Sequence, residues 1–353
     1  MKEAYNGQKV LITGHNGFKG SWLTTYLNML GADVLGISLP TDQRNLHYRV
    51  LKLNNKEHLI DIENYDELKS IVKKFNPKII FHLAAQPLVR ESYLNPRKNY
   101  STNVLGSLNI YEAARECKSI KVLISVTTDK VYHNTEQKYH YKESDILGGH
   151  DPYSASKACV EIMTDSYRKS FLNDDSQLKI ATVRAGNVIG GGDWNDDRLI
   201  PDAIKAAIED RTMPVRNPQS IRPWQHVLDP IYAYLLLGQR LLNNESFDSL
   251  SWNFGPDESY TWTVEEVLNE CQKQWNKISW ESKKSDAEPH EAGTLLLDIS
   301  KAKKELNWKP VWDTKTAIRK SIEWYQCFFE KNEIITQKQI LEYQQDLQNL
   351  ETN

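Results

Sequence analysis

Short apolar runs alternate with longer amphipathic stretches through the first half of the chain. Lys9–Ile12, Asp33–Ile37, Lys78–Leu83, Lys121–Val126 and Ile180–Arg184 are nearly continuous in apolar residues. Such runs read as parallel strands buried on both faces. Leu59-Ile60-Asp61-Ile62 adds a shorter segment. Between them lie helical patterns: Ser21–Leu30 closed by Gly31, a polar stretch to about Lys74, Asn103–Cys117, and Tyr153 to about Phe171. Strand and helix in strict alternation predict an α/β fold, a doubly wound parallel sheet. Beyond Arg184 the pattern is mixed. Arg198-Leu199-Ile200-Pro201 opens a helix, and extended Ser220–Val227 leads into a helix over Pro230–Leu242. Trp252–Phe254 reads as a strand; Val264–Trp275, Lys301–Leu306 and Thr316–Phe329 read as helices. From Glu330 the chain is polar and Gln-rich, predicting a surface helix or a frayed tail.

Composition narrows the class. With 353 residues, 40% hydrophobic and 26% charged, the chain is globular and long enough for about two domains. A net charge of -3 speaks against a nucleic-acid partner. No apolar run reaches the ~18 residues of a membrane span. The N-terminal Met1-Lys2-Glu3-Ala4-Tyr5-Asn6-Gly7 lacks a signal-peptide core. Cys117, Cys159, Cys271 and Cys327 lie far apart without metal spacing, which predicts reduced thiols in a cytoplasmic protein and no metal site.

The first strand runs into Thr13-Gly14-His15-Asn16-Gly17-Phe18-Lys19-Gly20-Ser21. Gly14 turns the chain sharply, Gly17 lets backbone N–H groups approach a pyrophosphate, and Gly20 lets the helix pack on the strand. The helix N-terminus then faces the phosphates. The pattern reads as a Rossmann-type dinucleotide loop, with Gly-x-x-Gly-x-x-Gly in place of Gly-x-Gly-x-x-Gly; a glycine-rich turn that holds no ligand has the same composition. The division expected is a cofactor domain over 1–188, to which some later segments return, a smaller mixed α/β substrate domain over 189–329, and a polar tail or helix over 330–353.

The second strand ends in Ser38-Leu39-Pro40-Thr41 without the acid that usually holds the ribose of NAD; Arg44, nearby, suits the 2′-phosphate of NADP. NAD and NADP both stay open on this ground. Asp61 either meets an adenine amino group or caps a helix. The small Ala84 and Ala85 let the chain pass close to a cofactor. Thr127-Thr128-Asp129-Lys130-Val131-Tyr132 ends a central strand, where polar groups face the ligand crevice. Tyr153 and Lys157 share one helix face. A lysine ammonium favours the phenolate, so the pair, with the Thr128 hydroxyl, can act as acid and base on a sugar hydroxyl; in isolation the same spacing also fits a solvated helix face.

These segments, with Ala84-Ala85-Gln86-Pro87-Leu88-Val89-Arg90, Arg184-Ala185-Gly186-Asn187-Val188-Ile189-Gly190-Gly191-Gly192-Asp193-Trp194 and Arg222-Pro223-Trp224-Gln225-His226-Val227, carry a resemblance. Over nearly its whole length the chain resembles the extended short-chain dehydrogenase/reductase family. Within it, the chain is similar to the nucleotide-sugar 4,6-dehydratases, most closely those acting on CDP-D-glucose. The resemblance implies bound NAD, with Gly14, His15, Asn16, Gly17, Phe18, Lys19, Gly20, Asp61, Ile62, Leu83, Ala84, Ala85, Asn103, Tyr153 and Lys157 at the cofactor. It implies Tyr153, Lys157 and Thr128 at the 4-hydroxyl and Asp129 as acid toward the 6-hydroxyl. Lys130, where related enzymes carry Glu, is implied as the C5 base or as the holder of a water that is. Gln86, Asn187, Arg198 and Arg222 are the expected substrate contacts, the arginines suiting diphosphate oxygens; Arg198 also fits a surface helix charge. The partners implied are a nucleotide-diphosphate sugar such as CDP-glucose and a second copy, in a homodimer or homotetramer through Asn103–Cys117 and Tyr153–Phe171. Two alternatives stand beside this: another dehydratase or a 4-epimerase on the same scaffold, and a non-catalytic dinucleotide sensor.

Overall fold

Alternation along the strands sets the layers of this protein. The computed structural model describes residues 1–42, 45–172, 176–257, 261–283 and 294–352; Arg44 lies outside them. Seven strands, β1 (Lys9–Thr13), β2 (Asp33–Ser38), β3 (Lys56–Leu59), β4 (Ile79–His82), β5 (Val122–Val126), β6 (Lys179–Ala185) and β7 (Ser251–Phe254), pair in parallel. Their spatial order is β7-β6-β5-β4-β1-β2-β3. The order reverses between β1 and β4, which opens a crevice at their carboxyl ends.

The longer helices are α1 (Phe18–Met29), α2 (Tyr65–Phe75), α3 (Gly106–Arg115), α4 (Pro152–Phe171), α5 (Leu199–Ile208), α6 (Leu228–Leu242), α7 (Val264–Gln274), α8 (Thr314–Lys331) and α9 (Thr336–Thr352). Val10, Ile12, Phe81 and Ile124 point to one face and pack with Trp22 of α1 and Ile231 and Leu235 of α6. Leu11, Ile80, Leu123 and Ile180 point to the other and pack with Leu68, Ile110 and Tyr167 of α2, α3 and α4. Both faces of the central strands are covered, so those strands are mostly apolar. Each such side chain, fully buried, contributes roughly 1.5–3 kcal/mol.

Several boundaries differ from the sequence expectation. Helix α1 begins at Phe18 rather than about Ser21, because Gly17 is the extended residue that caps it; Gly20 therefore lies inside the first turn. The third strand is Lys56–Leu59, exposed along its length at the sheet edge, so it needs no apolar run. Asn103 does not open a helix. Helical structure starts at Pro96 and passes through a π turn at Ser101–Leu105 into α3.

The polar C-terminus forms a docked helix, not a frayed tail. Thr336, Gln339, Ile340 and Tyr343 of α9 are buried. Most of their polar atoms find internal partners: Trp324 Nε1 donates to Thr336 Oγ1 at 2.9 Å, and Gln339 Nε2 to the Lys320 carbonyl at 2.8 Å. Asp229 of α6 accepts from Tyr343 Oη at 2.9 Å and from the Val311 amide at 2.8 Å, all on Oδ1. Its other oxygen has no partner among the described residues. Burial pushes the Asp229 carboxyl up from 3.8 to about 7.

An acid whose proton is held more tightly in the folded state stabilises fully below its unfolded value and loses that contribution as pH rises to its folded one. Asp229 therefore favours docking below about pH 4 and stops doing so by about pH 7. Asp229→Asn, which cannot ionise, is expected to gain thermal stability relative to wild type between pH 5 and pH 8, by on the order of 2–3 kcal/mol. Melting curves at the two pH values check this; an unchanged gap would refute it.

Candidate active site

The loop after β1 is built by close approach. Gly14 adopts φ +72°, and a Cβ there would stand 2.8 Å from the Ala84 amide nitrogen. A Cβ on Gly20 would lie 2.0 Å from the Gly14 carbonyl oxygen, whereas one on Gly17 would meet nothing closer than 3.4 Å. Gly14 and Gly20 are thus required by the chain's own packing. Gly17 is not; its missing side chain leaves the N-terminus of α1 open to an anion.

A cavity of about 410 Å³ runs along the carboxyl ends of the strands. Gly14, Asn16, Gly17, Phe18, Lys19 and Gly20 line it from the loop, Asp61 and Ile62 from beyond β3, and Leu83, Ala84, Ala85 and Gln86 from beyond β4. Thr128, Asp129 and Lys130 follow β5, Tyr153 and Lys157 come from α4, and Asn187 and Arg198 come from beyond β6. Asp61 is not a helix cap, since Asn64 caps α2. Its oxygens accept from the Glu63 amide at 3.0 Å and Lys98 Nζ at 2.9 Å.

Three expected contacts lie elsewhere. The His15 ring is enclosed against β2, bonded to Ser38 Oγ at 2.8 Å and Glu57 at 2.9 Å, with burial lowering its pKa. Asn103 spends its amide on Gln86, accepting from its amide at 2.8 Å and donating to its carbonyl at 3.2 Å, and also donates to Ser156 Oγ. It shapes the Ala84–Gln86 loop from behind, because the π turn aims it inward. Arg222 lines a smaller adjoining cavity of about 110 Å³ that shares Asn187, Asp193 and Arg198 with the first. Conversely, Arg90, Asp193, Asn195, Asp197 and Arg216 line the main cavity without having been singled out. Arg90 and Asp193 sit inside recognisable motifs; Arg216 follows a short strand with no signal at all. Arg90 and Asp197 approach to 3.4 Å across the cavity wall.

At the reacting end several polar groups are held by neighbours. Asp129 is buried and accepts from Thr128 Oγ1 at 3.0 Å; a Cβ on Gly186 would stand 2.0 Å from its Oδ2, so glycine makes its room. Burial raises the Tyr153 phenol above its usual value, opposed by Thr128 and by the Arg198 charge. Lys157 Nζ donates to the Val126 carbonyl at 3.0 Å. Burial, and then the Lys19 charge, bring Lys157 down to about 8, against the pull of Glu161. Lys19 is itself lowered to about 8 by burial and Arg198, opposed by Asp129 and Asp193. His82, close by, is no base: burial lowers it to about 3, and its ring joins Thr13 Oγ1 at 2.7 Å to Ser107 Oγ at 2.9 Å. A phenol, a carboxyl and several ammonium groups thus converge beside a glycine-capped helix, a set able to move protons on a polyol.

Residues 11–321 match the family described as GDP-mannose 4,6 dehydratase, and the chain belongs to that family. The CDP-glucose 4,6-dehydratase of Salmonella typhimurium is 39% identical over 351 residues, 97% of this chain and 98% of that protein. The UDP-glucose 4-epimerase of Mycoplasma pneumoniae is 26% identical, over 92% of this chain and 98% of that one. Among solved structures, the dTDP-glucose 4,6-dehydratase of Bacillus anthracis in complex with NAD superposes with TM-score 0.76 at 23% identity, covering 93% of this chain and 98% of that one. The UDP-glucose 4-epimerase of Thermotoga maritima with UDP-glucose gives TM-score 0.79 at 21% identity, covering 92% and 100%. Both structures share the fold.

The loop geometry separates two glycines that look alike in sequence. Gly20→Ala is expected to cost several kcal/mol, because backbone cannot yield to a 2.0 Å contact. Gly17→Ala is expected to change stability by less than about 1 kcal/mol. Chemical denaturation of the two variants checks the contrast, and equal losses would contradict it.

Proposed function

We propose that this protein is a CDP-glucose 4,6-dehydratase that uses NAD. The observation that carries the reading is the company Tyr153 keeps: Asp129 and Lys130 line the same cavity. A 4-epimerase needs the tyrosine and the threonine but no acid for a second hydroxyl. The identity to the Salmonella typhimurium enzyme supports CDP-glucose over other sugar nucleotides.

The open N-terminus of α1 above Gly17 and the small residues Ala84 and Ala85 fit a dinucleotide along this cavity. NAD there would supply the hydride acceptor for C4 and the donor for C6. Tyr153, its phenol raised by burial and only partly drawn back toward ionisation by Thr128 and the Arg198 charge, takes the proton of the sugar 4-hydroxyl as its phenolate, with Thr128 bonded to the same oxygen. The resulting 4-ketone acidifies the C5 hydrogen, which leaves to Lys130 or to a water that Lys130 holds. Asp129 gives a proton to the departing 6-hydroxyl. Arg198 and Arg222 bind the diphosphate, Gln86 and Asn187 the sugar. Residues 1–188, with β7 returning to the sheet, serve the cofactor, and 189–329 serve the sugar nucleotide.

We infer also a cytoplasmic homodimer. All four cysteines are free thiols, which suits a reducing compartment, and among the described residues no helix is long and apolar enough to cross a membrane. Leu105, 55% exposed, and Ile162 of α4, 58% exposed, present apolar side chains outward from helices suited to isologous pairing.

The direct test is product formation from CDP-glucose, in parallel with UDP-, dTDP- and GDP-sugars, with NAD⁺ and NADP⁺. Loss of one water from CDP-glucose with NAD⁺ is expected; no water loss from any sugar would reject the reading. Tyr153→Phe is expected to lower turnover by at least ~10²-fold. Asp129→Asn is expected to exchange the C5 hydrogen with deuterated water faster than it loses water, read by mass spectrometry. Light scattering is expected to give twice the chain mass for wild type and the single mass for Ile162→Lys.

A further inference from the structure

Tyr153, Lys157 and Glu161 stand one helical turn apart on the buried face of α4. Tyr153 and Lys157 reach the cavity; Glu161 does not. Its side chain is 1% exposed, yet its carboxylate is fully satisfied. Oε1 accepts from Thr127 Oγ1 at 2.5 Å and Arg184 Nε at 2.9 Å, and Oε2 from Thr182 Oγ1 at 2.7 Å and Arg184 Nη2 at 2.8 Å. Arg184 is pinned in turn, donating to Tyr132 Oη at 2.6 Å and the Glu143 carbonyl at 3.3 Å.

This placement joins the pieces of the reacting end. Thr127 directly precedes Thr128 and Asp129, and Lys157 donates to Val126, directly before Thr127. Arg184 leads into the Gly186–Asn187 segment beside Asp129. A buried ion pair rarely adds net stability over an apolar pair of equal shape, so its worth here lies in what it orients and in its charge. Lys157 faces Lys19 from α1 and His82 from β4, with Tyr153 and Glu161 on its own helix. Neutral His82 adds no charge, and Lys19 opposes a second ammonium. Glu161 is the carboxylate that favours it. Arg184, Arg168 and the two threonines keep Glu161 ionised.

We propose that Glu161 is a positioning residue for the reaction, its carboxylate locked by Arg184 so that it keeps the Lys157 ammonium charged beneath Tyr153 while holding Thr127, and with it Thr128 and Asp129, toward the cavity. The proposal rests on the dehydratase reading for its kinetic consequences, but its electrostatic core can be measured without turnover.

The test compares charge with shape in the full-length protein. Lysine labelled with 13C at Cε gives a titration midpoint for Lys157, its signal identified by its absence in Lys157→Met. Glu161→Gln, which keeps the shape and removes the charge, is expected to lower that midpoint by on the order of one pH unit. It is expected to move the alkaline limb of kcat to lower pH by as much, with KM within about threefold. Glu161→Asp, which keeps the charge on a shorter arm, is expected to lose thermal stability and hold the midpoint. Should Glu161→Gln not fold, Glu161→Gln/Arg184→Met removes both charges and is expected to fold with the midpoint still below wild type. A midpoint unmoved by loss of the carboxylate, with stability alone affected, overturns the proposal. A shifted midpoint in a protein that dehydrates no sugar overturns the dehydratase reading and leaves the electrostatic role of Glu161 standing.

Discussion

The fold turns on one contact with no slack. The first turn of α1 rides so close to the loop after β1 that Gly20 has room for a hydrogen and nothing more against the Gly14 carbonyl. That approach fixes the axis of α1 relative to the sheet, and so the direction in which its open N-terminus points. On the other side Gly14 also lies close to Ala84, so the carboxyl ends of β1 and β4 are drawn together at the reversal of strand order. The cavity lies where these two approaches leave space.

Below the cavity the structure relies on buried polar ties, not on apolar packing alone. His82 links Thr13 to Ser107, Asn103 links the Gln86 backbone to Ser156, and Glu161 with Arg184 links α4, β5 and β6. Each carries two or more bonds in a dry setting, where an unpaired group costs roughly 1–3 kcal/mol. Such groups accept one arrangement, whereas apolar contacts tolerate several. For a site that must present a phenol, a carboxyl and ammonium groups to one small sugar, that selectivity has a clear use.

The docking of the C-terminal helix is built on a different balance. The C-terminal helix covers Trp312, Trp324 and His47 with a face of Thr336, Gln339, Ile340 and Tyr343. Half of this face is polar, so its attachment draws on hydrogen bonds and on the protonation of Asp229 as well as on the burial of Ile340 and Tyr343.

By itself the sequence determined the parallel sheet, the glycine loop, the pairing of Tyr153 with Lys157 and the polar segment after β5. Each of these rests on local rules: apolar runs where both sheet faces are covered, glycine where backbone meets backbone, a spacing of four on a helix. It did not reveal that α9 docks, since polar residues give no amphipathic signal when their partners lie on distant helices. Nor did it show that His15 and Asn103 turn inward, that Arg216 reaches the cavity, or that Glu161 closes on Arg184. These are pairings across long stretches of chain. Hydrogen-bond partners and the burial that shifts Lys19, Lys157 and Asp229 exist only once distant segments are packed together, so tertiary structure alone decided them.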